Sequence, residues 1–466
     1  MATHQIVVRQ IAKAVKAFYN RRESYRIFHG STNSTRPQHH EKTIDISALS
    51  NIIEVNRDSR SVLVEPNVPM DKLIATTLRY GLIPPVVMEF PGITVGGGYS
   101  GSAGESSSFK HGYFDETVRS VEMVLGNGDV VIASKDENSD LFKGAAGALG
   151  TLGITTLLEL RLISAKRFVH TFYRRTTSIE ETIDIVKAET DNAGNDYIDA
   201  VMFSNTFGVV ITGKQTDDLP DGVKPQTFSG AWDPWYYLHV KSKGNSAEDS
   251  QPASDYVPLP EYLFRWDRGG FWVGNNAFDY FGLVPFNSLS RWFLDDFMHT
   301  RMLYRALHSS NQSFGFMVQD LSLPYSTAGS FIRYNSTGLN IWPLWLCPLR
   351  EVKEPTFHPS TKLPGPGNSP KPMLNIGLWG PASRDLASFV LYAHTYYTKD
   401  EFWKLYNKKW YDDLRQRYWA ESLPTVYDKI NSSWLKSCWP IPGVLGIIAA
   451  IRSRDYLLHR NAPKNT

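Results

Sequence analysis

Near the start of the chain apolar residues recur at helical spacing: Ile6, Val7, Ile11, Val15 and Phe18 fall roughly on one face, with Lys and Arg between them. The spacing predicts an amphipathic helix, too polar to span a bilayer and without the apolar core or cleavage site of a signal peptide. Period-two patterning follows. Residues 25–28 read as a short strand, and 52–55 with 61–65 as a hairpin around 56–60. Met70, Leu73, Ile74, Thr77 and Leu78 form one face of a helix that Gly81 ends. Gly126-Asn127-Gly128 marks a turn between strands at 118–125 and 129–133. Asn138-Ser139 opens a helix through Leu141 and Phe142, after which a Gly-rich turn leads to a strand at 154–162.

A second α+β unit begins near Phe168. It has a strand at 170–175, a helix capped near Thr177 or Ser178 that buries Ile179, Ile183 and Val186, and strands near 201–203 and 209–212. From 214 to 260 the chain turns polar, and residues 241–255 read as a mobile loop. Residues 354–372 form a Pro-rich loop, and 398–419 one helix-like run with Thr398 as N-cap. The apolar stretch 439–451 is short and interrupted by proline; a buried helix and a surface-lying anchor are both open for it.

Between the two regions lies PGITVGGGYSGSAGESSSFKHG at 91–112. Glycines at 96, 97, 98, 101 and 104 permit positive φ, so main-chain N–H groups can turn inward on an anion while the serines add hydroxyls. A nucleotide loop and a plain cluster of tight turns both satisfy the pattern. A Rossmann fingerprint does not: the preceding run is broken by Pro84, Pro85 and Pro91, and no helical apolar period follows. The turn HGSTNSTR at 29–36 and GALGTLG at 147–153 are two further donor-rich loops, and the three together have room for one large cofactor.

The remaining composition narrows the partners. In 466 residues with 42% apolar and 21% charged side chains, a formal charge of +2 without a basic block argues against nucleic acid. Two cysteines give neither a disulfide framework nor a zinc pattern, and adjacent His39 and His40 do not converge on a metal. Aromatic runs around YLFRWDRGGFW at 262–272 and IWPLWLCPL at 341–349 are packing or the wall of a lipophilic pocket.

With these residues laid out, the chain resembles the flavoproteins of the p-cresol methylhydroxylase (PCMH) type, and within them the Δ24-sterol reductase branch. The resemblance rests on TVGG at 94–97, GESSSFKHGYF at 104–114, ENSDLF at 137–142 and GTLGI at 150–154. WPLWLCP at 342–348, DEFW at 400–403 and LPTVYDKI at 423–430 extend it. It implies an α+β fold: a two-subdomain PCMH/vanillyl-alcohol-oxidase-type FAD-binding domain at 1–165, an α+β substrate-cap domain at 166–430, and a C-terminal tail at 431–466. It also implies that Ser31, Thr32, Asn33, Ser34 and Thr35 form a first pyrophosphate loop. Thr94, Gly96, Gly97, Gly101, Ser106, Ser107 and Ser108 would line a second, with Gly150, Gly153 and Ile154 beside the dinucleotide. Related oxidases attach the flavin through His or Cys; no Cys lies in these loops and His29 precedes its turn, so noncovalent FAD is expected.

The resemblance implies NADPH-driven reduction of a C=C bond in a sterol or terpenoid-like substrate. An FAD-linked oxidase or desaturase of specialised metabolism and a non-redox FAD-binding cyclase are the alternatives. Reduction of an isolated alkene needs an acid and a cation-tolerant wall, for which Trp342 and Trp345 are candidates. Glu105 is the leading acid; its other reading is a carboxylate that bonds loop amides. His111, His394 and Tyr396 are further candidates. Arg265 and Arg268 either neutralise a phosphate or pair with Asp267. The expected partner is a lipophilic small molecule, with peripheral membrane contact and oligomeric state left open. The expected location is cytoplasmic or peripheral at an intracellular membrane, since the branch usually carries an N-terminal membrane segment and this sequence starts without one.

Overall fold

The computed structural model describes residues 1–30, 42–246, 252–282, 284–309, 316–352, 356–358, 372–381, 397–430 and 441–453. The amphipathic helix at the start spans Ala2–Arg21, ends at a left-handed Arg22, and buries Val8, Ile11 and Val15. Its buried His4 bonds Glu65 at 2.8 Å and Glu122 at 3.0 Å, tying the helix to the sheet beneath. That sheet has five antiparallel strands in the order Ile52–Asn56, Ser61–Val64, Ile154–Arg161, Val118–Val124, Val130–Ser134. A small parallel pair, Arg26–Phe28 with Thr43–Asp45, stands apart from it. Both expected hairpins are present, and Gly128 at φ 89° makes the second turn. The helix Met70–Thr77 presents the expected buried face, and Gly81 at φ 69° follows its terminal turn.

The second half is built on a seven-stranded antiparallel sheet, in the order Ala253–Pro258, Phe168–Thr176, Phe207–Thr216, Tyr197–Ser204, Leu344–Leu349, Met373–Pro381, Phe316–Pro324. Helices Ile179–Glu189 and Tyr325–Tyr334 cover its outer face, where Ile198, Ala200, Leu346, Ile376 and Leu378 pack in a dry cluster with Ile183, Val186, Ala328 and Ile332. Ser178 caps the first of these helices by accepting from Glu181 N at 3.1 Å. This is the α+β architecture expected, one α+β half followed by a second.

Three stretches differ from expectation. Residues 241–246 continue a helix, Tyr236–Ser246, because its first turns bury Tyr236, Tyr237, His239 and Val240; Ala253–Pro258 is an edge strand paired with Phe168–Thr176. The expected loop in these two segments is therefore ordered structure, while 247–251 lie outside the described residues. The run 398–419 is two helices, Lys399–Leu405 and Lys408–Arg417. Thr398 and Glu401 form a capping box at the first, and Asn407 restarts the second by accepting from Trp410 N at 3.0 Å. The glycine run is itself helical over Val95–Gly101.

The chain finally returns to its first half. Tyr411 bonds Thr151 Oγ1 at 2.7 Å, Arg415 donates to Thr151 O at 2.8 Å, and Lys429 Nζ donates to Leu149 O at 2.6 Å. Beyond this, the apolar stretch forms a helix, Ile441–Ser453, that packs on Thr300–Ser309 and leaves Ile448 and Ile451 exposed. Among the described residues no helix is long and apolar enough to cross a membrane.

Candidate active site at the seam between the halves

The glycine stretch begins at Thr94, whose Oγ1 accepts from Gly97 N at 3.2 Å and so caps the short helix. Gly96 lies against Pro66, where a Cβ would come within 2.6 Å, and its N–H donates to Pro66 O. Gly97 is exposed, and around Gly101 a Cβ would meet nothing within 4 Å. Next to this open edge the backbone is left-handed at Ser102, Gly147, Leu149 and Gly150, with φ of 51°, 70°, 55° and 70°. Ser102 Oγ is buried there with no partner among the described residues. Room at a glycine, strained backbone and an unpaired buried hydroxyl in one place fit a bound dinucleotide. Gly153 and Ile154, in contrast, pack inside the sheet, where a Cβ on Gly153 would press on Val124 O.

The three serines point elsewhere. Ser107 donates to Pro85 O at 2.9 Å, Ser108 Oγ accepts from Glu105 N at 2.8 Å, and Ser106 Oγ lies 3.4 Å from Arg265. These bonds hold the loop that carries Glu105. Through Ser106 O, which accepts from Ile198 N at 2.8 Å, the loop also docks on the cap sheet. Residues 31–35 lie outside the described residues.

Glu105 is thus delivered to a buried electrostatic cluster at the seam. Arg265, 1% exposed, donates to Glu89 Oε1 at 2.8 Å from the FAD-binding half and to Asp199 Oδ2 at 2.9 Å from the cap sheet. Trp345 Nε1 donates to the same Asp199 oxygen at 3.2 Å. On the far strands Asn375 donates to Asp320 at 3.2 Å. Burial raises Glu105 well above the ordinary carboxyl range; Glu89 and Asp320 add to it, against Arg265 and the Glu89 N–H. Burial likewise raises Glu89 and Asp320, with Arg265 drawing Glu89 back toward its charged form. Burial thus favours a proton on Glu105, while the Glu89 and Asp199 side chains face the Arg265 cation.

Above the carboxyls lies an aromatic wall. Phe271 stacks on Trp266 with centroids 4.0 Å apart and meets the edge of Trp379 at 4.0 Å and Trp345 at 5.3 Å; Phe90, next to Glu89, joins from the other half at 5.7 Å. Phe271 sits at φ 60° after left-handed Gly269 and Gly270, an uncommon conformation for a bulky residue. Of the two tryptophans expected in the wall, Trp345 is there; Trp342 packs with the outer-face cluster.

The remaining candidates fall outside the cluster. His111 ends the helix Ser108–His111 and is pushed down to about 4 by burial, with Arg161 and Lys110 adding to the shift. His394 and Tyr396 lie outside the described residues. Arg268 pairs with Asp295 at 2.7 Å, and Asp267 with His299 at 2.6 Å, so neither arginine presents an open guanidinium and neither pairs with Asp267. Glu89, Asp199 and Asp320 carried no motif. The one sequence signal was an aspartate inside the otherwise apolar strand YIDAVMFS.

Comparison with known proteins completes the picture. Residues 8–134 match the family model described as FAD binding domain. The chain is an FAD-dependent oxidoreductase with a PCMH-type FAD-binding domain. It is similar to the Delta(24)-sterol reductase of Homo sapiens, 29% identical over 411 residues that cover 82% of this chain and 76% of that protein. It is also similar to the Delta(24)-sterol reductase of Pisum sativum, at 25% over 443 residues covering 83% and 75%. Cytokinin dehydrogenase 9 of Oryza sativa subsp. japonica is 30% identical over 176 residues, 37% of this chain and 33% of that protein.

Proposed function

We propose that the chain reduces a carbon–carbon double bond of a sterol or terpenoid-like lipophilic substrate, with NADPH as electron donor. The observation that carries this reading is a carboxyl whose burial favours its neutral form, set in the seam beneath an aromatic wall, in a chain similar to Delta(24)-sterol reductases. The substrate lies between the first half of the chain and the inner face of the cap sheet. When bound, FAD supplies hydride-transfer chemistry; Gly97, Gly101, Ser102 and Gly150 are the residues described that would hold it. Glu105 gives its proton to one alkene carbon and leaves a tertiary cation at the other. Phe271, Trp345 and Trp379 face that charge with their π systems, worth about 0.5–2 kcal/mol each. General acid catalysis by Glu105 contributes a factor of about 10²–10⁴.

The test is anaerobic addition of NADPH to the FAD-loaded protein, followed by alkene in D2O. Bleaching of the flavin spectrum, then its recovery with one deuterium in the reduced product, supports the reading. A flavin that stays oxidised with NADPH, but bleaches with substrate and regenerates peroxide in air, would replace it with the oxidase reading.

A further inference from the structure

We propose that Arg265 and Glu89 are positioning residues for Glu105: their buried ion pair, shared with Asp199, spans the seam and sets the charge that the Glu105 carboxyl faces. The inference deepens the reading of Glu105 as the acid and rests on it.

The geometry supplies three links. Arg265 is the guanidinium that reaches both halves at this point, through Glu89 at 2.8 Å and Asp199 at 2.9 Å. Its aromatic surroundings hold it there, with the Tyr262 ring 4.1 Å and the Tyr236 ring 5.2 Å from its carbon, and Tyr262 O accepting a further bond at 2.9 Å. Arg265 also lies 3.4 Å from Ser106 Oγ, the residue after Glu105, while the Glu89 side chain is turned to Arg265. Glu89 Oε2 and Asp199 Oδ1 are buried without partners among the described residues, as are Arg265 Nε and the hydroxyls of Tyr236 and Tyr262.

The charged and titratable groups facing Glu105 are Glu89 from its own half and Arg265 and Asp320 from the cap. Asp199 acts on it through Glu89 and Arg265, and burial keeps the Cys347 thiol neutral. In such a site one charge on either side of the proton changes the acid strength in opposite senses. Removing the Glu89 carboxylate lets Glu105 ionise without a like charge beside it, and removing Arg265 leaves that ionised form without its cation.

The experiment uses FAD-loaded protein and three variants, Glu89→Gln, Arg265→Met and Arg265→Lys. The protonated-carboxyl infrared band assigned by its loss in Glu105→Gln is titrated directly, beside the pH profile of single-turnover alkene reduction. The expected result is a Glu105 midpoint lowered by about one unit in Glu89→Gln, raised by about one unit or more in Arg265→Met, and near wild type in Arg265→Lys. The basic limb of turnover should move with it. If Arg265→Met does not fold, the fall in Glu89→Gln against an unmoved Arg265→Lys carries the inference. Shifts of one sign in Glu89→Gln and Arg265→Met, or no shift in Glu89→Gln, would overturn it. Should Glu105→Gln turn over like wild type, the assignment of the acid itself is wrong, whatever the infrared midpoints do.

Discussion

The two faces of the cap sheet share one backbone and differ in almost everything else. On the outer face Ala200, Leu346, Ile376 and Leu321 stand in one row across four strands, three of them buried and the fourth packed beside them. One residue along, the inner face reads Cys347, Asn375 and Ser322, then Trp345, Gly377 and Asp320, with Asp199 beside them. The outer face is a core: interchangeable apolar volume under two helices. The inner face concentrates groups that are costly to bury: Asp199 accepts from Arg265 and Trp345, and Asp320 from Asn375. Because side chains alternate with period two, a register slip of one residue would exchange the faces. The pairing of these strands thus matters for chemistry as much as for stability.

The largest effect that separates the faces should come from Glu105→Gln, which meets the inner face. Turnover is expected to fall by about 10²–10⁴-fold with the flavin spectrum retained; apoprotein from the variant would mean that the carboxylate holds the loop instead. Leu346→Ala on the outer face should do the reverse, lowering stability by about 2–5 kcal/mol in denaturant titration and leaving the pH profile of turnover unmoved. A profile that moved would show that the two faces are not independent. Trp345→Leu removes a π face and a donor to Asp199 from the inner side, and a drop in turnover of about 2–30-fold is expected.

The smallest effect concerns the loop that sets Phe271 in the wall. Burial alone would depress His299, but Asp267 and Asp295 outweigh it and hold the imidazole up to about 9, against an ordinary 6.5. Its contribution to stability is therefore complete below pH 6.5 and is lost as pH rises through 9. Melting temperatures of wild type and His299→Gln should converge over that window; a constant gap would count against the charged pair.

Local signals in the sequence were legible where local chemistry decides the outcome: Gly128 in its hairpin, Ser178 and Thr398 as caps, and the alternation of Met70, Leu73 and Ile74 with polar residues. The three successive glycines were read as loop because glycine permits positive φ. They form a helix because Thr94 caps them and Pro66 and Met88 leave room for no Cβ at Gly96 and Gly98. Glu105 could be found because a motif surrounds it. Arg265 was singled out as well, but its pairing with Glu89 could not be, since 176 residues separate them and nothing at either position announces the other.

The return of the chain to its starting half has a topological consequence. The first half contains both the beginning of the chain and the helices after residue 398, so the cap is spliced into it and leashed at two points. A lid hung on one strand of chain can swing wide; one held at both ends can only slide or tilt. On the proposed function a bulky apolar substrate would enter along an edge of the seam, and the natural places to cut and rejoin this polypeptide lie in the inserted segment.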